Sequence, residues 1–229
     1  MNAVVLQPSY IPWRGYFHQI KKADIFVFYD CVEYDKHGWR NRNEIKMSQG
    51  TQWLTIPVMT SGTKSVRTPV KDIRIDWTKD WARKHLLSIQ QAYAKAPFLT
   101  EYAGLLEKFY SRKDALLVDF TCEFTMALAT CLGITHTQFV RSSTLDAAGT
   151  KTERLLSILR PLGVKHYISG PSARDYLDIR LLNDVGISVE FMTYNYPEYQ
   201  QLHGAFQPQV SVLDLLLNIG PGSSKYVWD

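Results

Sequence analysis

Two short runs of β-branched and aromatic residues, Ala3–Leu6 and Ile25–Tyr29, are separated by a segment in which Trp13, Tyr16, Phe17 and Ile20 recur at helical spacing. A hairpin needs only a few residues between its strands, so a helix-length connection predicts a parallel pair joined by a right-handed crossover. The same alternation returns late in the chain. Gln138–Arg141, His166–Ser169 and Ser188–Met192 have strand character, and Thr150–Leu159, a short turn of helix from Ser172 and another across Arg180–Leu182 lie between them. Strands alternating with helices at this spacing predict an α/β fold with a doubly wound, mostly parallel, Rossmann-like sheet.

Between these two blocks the pattern changes. Trp53–Val58 and Val70–Ile75 flank the turn-forming stretch Met59–Ser65, which reads as an inserted β-hairpin. Trp77–Tyr93, Tyr102–Ser111 and Ala115–Leu132 then read as three helices, the first carrying Trp81, His85, Leu86 and Ile89 on one face. Asp114 is placed as an N-cap for the third and Gly133 as its C-terminal cap. The expectation is a single α/β domain over residues 1–229, with 50–135 as a hairpin plus helical insertion.

A chain of 229 residues that is 45% hydrophobic can bury a core without disulfides or metal clips. Its three cysteines, Cys31, Cys122 and Cys131, are odd in number and widely spaced, and two fall in an apolar helical segment, which fits a reducing compartment. The start, Met1-Asn2-Ala3-Val4, has no basic region ahead of a long apolar run, and no run is long enough for a membrane span. These features predict a cytoplasmic protein without a membrane partner. A net charge of +4 is too mild to argue for duplex DNA binding by itself. Positive charge is concentrated locally, with Lys36, Arg40, Arg42 and Lys46 set against Glu44.

In an open parallel sheet, ligands bind beyond the carboxyl ends of the strands, and three such ends carry unusual residues here. After the first strand, Gln7-Pro8-Ser9-Tyr10-Ile11-Pro12-Trp13-Arg14-Gly15-Tyr16 forms a loop stiffened by two prolines, with Gly15 permitting close approach of the backbone. Gln7, Tyr10, Trp13 and Tyr16 are its candidate binding residues. After the second strand, Asp30 supplies a carboxylate, and Arg40, Asn41, Arg42, Asn43 and Lys46 supply groups suited to phosphate or carboxylate. Asn41 and Asn43 would face one side of an extended segment. After His166–Ser169, Gly170-Pro171-Ser172 makes a tight corner in which Ser172 is placed as an N-cap. In the tail, Asp214 is a lone charge in an apolar helical run, with His203 as a prospective hydrogen-bond partner and general base. The histidines show no metal-ligand spacing, and no Walker loop, Gly-x-Gly-x-x-Gly fingerprint or Gly-x-Ser-x-Gly elbow is present. No cofactor is named by these residues.

Four ordered motifs extend from end to end of the chain: Gln7 to Phe17, Trp39 to Lys46, Ser169 to Leu177 and Ser211 to Gly220. Together they resemble the WbqC-like protein family. The resemblance implies a bacterial protein of the kind met among genes for O-antigen and other surface polysaccharides, with relatives in phage settings concerned with modified DNA bases. Where that family usually follows Asp30 with a second acidic residue and then a Gln, this chain has Cys31 and Glu33.

Residues and resemblance together lead to three expectations. The first is a transferase that moves an amino acid or acyl group, or forms a C–N bond, on an activated phosphate-bearing acceptor such as a nucleotide-sugar. In it Arg40, Arg42 and Lys46 hold phosphate, Asn41 and Asn43 orient the acceptor, and Asp30 or His203 takes a proton from a small-molecule amine. The second places the same chemistry on a phosphate-activated base in DNA, with Trp13, Tyr16 and Trp39 available for stacking. The third is a non-enzymatic nucleotide-sugar binder. All three require distant segments to meet around one hollow.

Overall fold

The computed structural model describes residues 1–59 and 68–228. The chain runs through β1 (Asn2–Leu6), α1 (Arg14–Lys22), β2 (Ile25–Phe28), β3 (Arg42–Met47), β4 (Gly50–Thr55), β5 (Val58–Met59) and β6 (Arg74–Ile75). Three helices follow, α2 (Trp81–Ala92), α3 (Leu99–Tyr110) and α4 (Leu117–Cys131). Then come β7 (Gln138–Arg141), α5 (Lys151–Leu159), β8 (His166–Ser169), α6 (Ile179–Asn183), β9 (Ser188–Phe191) and α7 (Val212–Ile219).

Five strands form one parallel sheet in the order β7-β2-β1-β8-β9. Both faces are covered, which is why β1 and β2 read as apolar runs rather than alternating ones. Ala3, Val5, Ile25 and Val27 point to one face and pack with Leu155, Ile158 and Leu159 of α5 and Leu182 of α6. Val4, Phe26 and Phe28 point to the other and join a larger cluster with Phe17 and Ile20 of α1 and Leu213 and Leu216 of α7. Full burial of a Phe or Val side chain contributes roughly 1.5–3 kcal/mol, so this two-faced pattern fixes the register of the central strands. The doubly wound α/β architecture expected from the sequence is the observed one.

The segment between β2 and β7 packs on the larger-cluster face, with Ile45, Leu54, Trp81, Phe109 and Phe120 in that same core. Its three helices lie close to the expected ranges, and Gly133, at φ +76°, ends α4 as expected, with Ile134 N–H donating to Ala129 O at 2.9 Å. Its strands differ from expectation. The longer hairpin pairs β3 with β4, Arg42 opposite Thr55 through Met47 opposite Gly50, so Trp53 belongs to a different hairpin from Val70–Ile75. β3 escaped notice because its sequence, RNEIKM, is mostly polar, yet Asn43, Ile45 and Lys46 are buried by their neighbours. Val58–Met59 does pair antiparallel with Arg74–Ile75, whereas Val70–Asp72 is a 3₁₀ turn whose Val70 and Lys71 N–H groups donate to Val32 O and Asp30 O. Of the expected turn, residues 60–65 lie outside the described residues.

Two caps are corrected. Asp114 does not cap α4, whose N-cap is Leu116. Its carboxylate pairs with Arg112 at 2.7 Å and its carbonyl accepts from Trp77 Nε1. Ser172 is not an N-cap either: it lies inside a 3₁₀ turn, Pro171–Asp175, preceded by Gly170. The caps made by side chains are Asp178 on α6 and Ser211 on α7.

Candidate functional site

From β1 the chain continues outward to β2 and then β7, before crossing to β8 and β9 on the other side of β1. Connections leaving β1 and β8 therefore part in opposite directions, and a crevice opens between their carboxyl ends, where ligands bind in sheets of this kind. A cavity of about 540 Å³ occupies that place. Its wall includes Leu6 and Gln7 after β1, Tyr29 after β2, Trp39, Arg40 and Asn43 ahead of and within β3, and Gly170, Pro171 and Ser172 after β8. The three segments singled out in the sequence meet there.

The loop after β1 is held from several sides. Tyr10 N–H donates to Trp39 O at 3.1 Å, and the Tyr10 side chain is fully buried, its hydroxyl 2.8 Å from His85 Nδ1 and 2.5 Å from Tyr110 Oη. Asn43 Nδ2 donates to the carbonyls of Tyr10 and Ile11 at 3.2 and 2.9 Å. Ile11 lies at φ +37°, a left-handed conformation that a β-branched residue adopts only when its surroundings impose it. Trp13 stacks its ring where a Cβ on Gly15 would be 2.2 Å away, so only glycine fits there. Tyr16 Oη donates to Gln7 O at 3.1 Å.

The polar groups on this wall are unevenly satisfied. Arg40 Nη1 reaches Pro8 O and Ser9 Oγ only at 3.4 Å, and its Nε is buried without a partner. Burial lowers the Arg40 pKa from its ordinary value, so a nearby anion is favoured electrostatically. Gln19 of α1 donates to Tyr194 Oη at 2.8 Å while its Oε1 has no partner, and Gln7 Oε1 is likewise unpaired. One guanidinium nitrogen and two amide oxygens of wall residues are thus buried without partners, behind a surface that also carries the rings of Trp13, Tyr16, Tyr29, Trp39, Tyr176 and Tyr194. This arrangement can hold a flat, polar molecule that carries negative charge.

Several sequence candidates lie away from the cavity. Tyr10 and Asn41 are structural: Tyr10 bonds into the helical block, and Asn41 Nδ2 donates to Ile56 O at 2.8 Å. Asn41 and Asn43 therefore face backbone carbonyls, with only Asn43 also reaching the cavity wall. Arg42 bonds His37 O and lies 4.6 Å over the ring of Trp53, while Lys46 Nζ donates to Gln201 Oε1 at 2.7 Å and to Ala205 O. Asp30 is fully buried and accepts from Ser142 Oγ, Ser143 N–H, Ser143 Oγ and Arg141 Nε at 2.7–2.9 Å. Burial pushes its pKa up, but hydrogen bonds from Ser143, Arg141 and Ser142 more than reverse this and hold the carboxyl below its ordinary value. The expected pairing of His203 with Asp214 does not form. His203 Nε2 contacts Ala92 O at 2.9 Å, and Asp214 accepts from Tyr199 Oη and Gln201 Nε2, both at 2.8 Å.

Sequence reading missed Gln19, Tyr176, Tyr194 and Gln209, all on the cavity wall. Tyr176 lay inside the Ser169–Leu177 motif without being singled out, and Gln19 left a signal as an amide between Phe17 and Ile20 on a helix that had to be buried. Among the described residues, no group of three His, Cys, Asp or Glu side chains is placed to hold a metal ion, and no helix is long and apolar enough to cross a membrane.

Comparison with known proteins places this geometry in a wider context. The sequence model of the WbqC-like protein family matches residues 7–226. The chain is 39% identical over 228 residues to the uncharacterized protein Rv1507c of Mycobacterium tuberculosis, an alignment that covers 99% of this chain and 97% of that protein. No solved structure matches.

Proposed function

Because this chain belongs to the WbqC-like protein family, we propose that its switch-point cavity is the active site of a transferase acting on an activated, phosphate-bearing acceptor such as a nucleotide-sugar. The reaction is transfer of an amino acid or acyl group, or formation of a C–N bond, in the building of a surface polysaccharide. A C–N bond forms from a small-molecule amine as the bond to the activating phosphate breaks, the phosphate leaving with the bonding pair and the amine's proton passing to water. Arg40 holds phosphate, Gln7 and Gln19 accept hydrogen bonds from sugar or base, and the surrounding rings give a flat group its stacking surfaces. Asp30 positions rather than reacts in this reading, because its four hydrogen bonds tie the end of β2 to the loop after β7. The observation that supports it most is the buried, incompletely bonded Arg40 in a cavity assembled from three distant segments at the sheet's switch point.

The test is incubation with pooled amino acids, nucleotide-sugars and modified nucleotides, with mass spectrometry of new adducts, alongside calorimetric titration with UDP. A covalent product and a loss of UDP affinity of about tenfold or more in Arg40→Ala are expected, from the strength of a charge-assisted hydrogen bond. UDP affinity unchanged by that substitution would refute the role given to Arg40.

One observation favours a second reading, in which the acceptor is a base in single-stranded DNA. Trp39 and Trp53 are each 43% exposed with ring centroids 5.3 Å apart, and Arg42 caps Trp53, so a base-stacking surface leads out of the cavity mouth. Single-stranded DNA binding that weakens steeply with added salt is expected on this reading. Salt-independent binding would count against it.

A further inference from the structure

A second cavity, of about 790 Å³, adjoins the first and shares Trp13, Pro171, Tyr194 and Gln209 with it. The rings of Trp13 and Tyr194 meet edge to face at 5.0 Å and form the partition. On the far side lies Arg14, only 3% exposed. Its Nη1 donates to the carbonyls of Pro197 and Tyr226 at 2.8 and 3.0 Å, its guanidinium lies 4.9 Å from the Tyr196 ring, and its Nε is buried with no partner. Among the described residues no carboxylate lies within ion-pair distance of it. Glu198 acts on this guanidinium from beyond ion-pair distance and offsets its burial only in part, so a second anion in the cavity is favoured electrostatically.

We infer that this second cavity is a binding site for a small carboxylate-bearing molecule, with Arg14 and Arg174 receiving the carboxylate across the Trp13–Tyr194 partition from the first cavity. The charge balance selects the ligand class. Arg14 and Arg174 stand against Glu198 on the same wall, leaving one net positive charge, which matches a monoanion better than a phosphate dianion beside Glu198. Guanidinium and carboxylate also match in planar, two-pronged geometry. Met192, Tyr196 and Phe206 supply apolar walls for the rest of the molecule. The inference deepens the transferase reading by giving the co-reactant its own compartment, and it rests on that reading only for its role, since the binding stands on the cavity itself.

The experiment is an NMR titration of the full chain with benzoate, benzamide and phenyl phosphate at matched ionic strength. Saturable benzoate binding, with no binding of the neutral isostere benzamide and weaker binding of phenyl phosphate, is expected. Arg174→Ala, at an exposed position, should weaken benzoate about tenfold or more. Because Arg14→Ala also releases Pro197 and Tyr226 and can unfold the tail, Arg14→Lys is the second variant, expected to weaken benzoate while the fold persists. Benzamide binding as well as benzoate, a preference for phenyl phosphate, or unchanged affinity in both variants overturns the proposal. Arg40→Ala separates the two ideas. Loss of UDP but not benzoate binding in that variant is expected, whereas absence of UDP binding in the parent chain sinks the nucleotide reading alone.

Discussion

Two buried aspartates, Asp30 and Asp214, show how surroundings decide what a carboxylate does. Asp30 has its charge matched by four hydrogen bonds, one of them an ion pair to Arg141 at 2.9 Å, and its folded pKa lies below its unfolded value. It therefore contributes stability above the unfolded pKa that is lost as pH falls through the folded one. Asp214 is the opposite case: burial raises its pKa despite bonds from Tyr199 and Gln201, and its Oδ1 has no partner. Its ionisation favours the unfolded chain, so stability is lost as pH rises from the unfolded pKa through the folded one. Denaturant unfolding across pH should show Asp30→Asn about 1–3 kcal/mol less stable than the parent at neutral pH, the scale for losing hydrogen bonds to a charged group while Arg141 keeps Asp119, with the difference shrinking in acid. Asp214→Asn should behave inversely, gaining on the parent as pH rises. Parallel pH profiles for parent and variant at either site would contradict these assignments. Asp214 was legible as a lone charge in an apolar run, but its partners were not, because Tyr199 and Gln201 reach it only through the fold of the tail.

At the scale of elements, the loop between β1 and α1 is the piece on which the cavity depends. It runs from Gln7 to Trp13 and is pinned at Tyr10 by His85 of α2 and Tyr110 of α3, so the inserted helices serve the site without lining it. His85 has its pKa pushed down to about 4 by burial, so it stays neutral and able to bond Tyr10 across the ordinary pH range. Tyr10→Phe leaves two buried polar groups short of a partner and should cost about 1–3 kcal/mol by thermal or denaturant unfolding, with weaker UDP binding as the loop loosens. Gly15→Ala drives a methyl into the Trp13 ring and should cost about 1–3 kcal/mol. Retention of parental Trp fluorescence and stability in Gly15→Ala would show that Trp13 is free to move. The proline-stiffened loop and its glycine were visible in the sequence, and so were the three helices. What pinned the loop was not, since Tyr10, His85 and Tyr110 are up to 100 positions apart.

For the molecule as a whole, the cavity exists because the sheet reverses its winding between β1 and β8. UDP bound there should slow hydrogen exchange together in residues 7–16, 39–43 and 170–176, read by mass spectrometry. Protection confined to one of these segments would mean that the ligand does not sit in the crevice they share. The sequence by itself determined the alternation of strands and helices, the burial of both sheet faces and the three strand ends that carry the site, because these follow from local periodicity and from residues that stiffen or free the backbone. Tertiary structure alone decided which of the polar candidates face the cavity. Arg40 and Arg42 are two positions apart, yet the first lines the crevice while the second lies over Trp53. Nor did spacing reveal that Gln19 and Tyr194 converge there or that Arg14 is buried against the carbonyls of Pro197 and Tyr226. A side chain's charge is written in the sequence, but its partner is set by elements that meet only after the chain has crossed from one side of the sheet to the other.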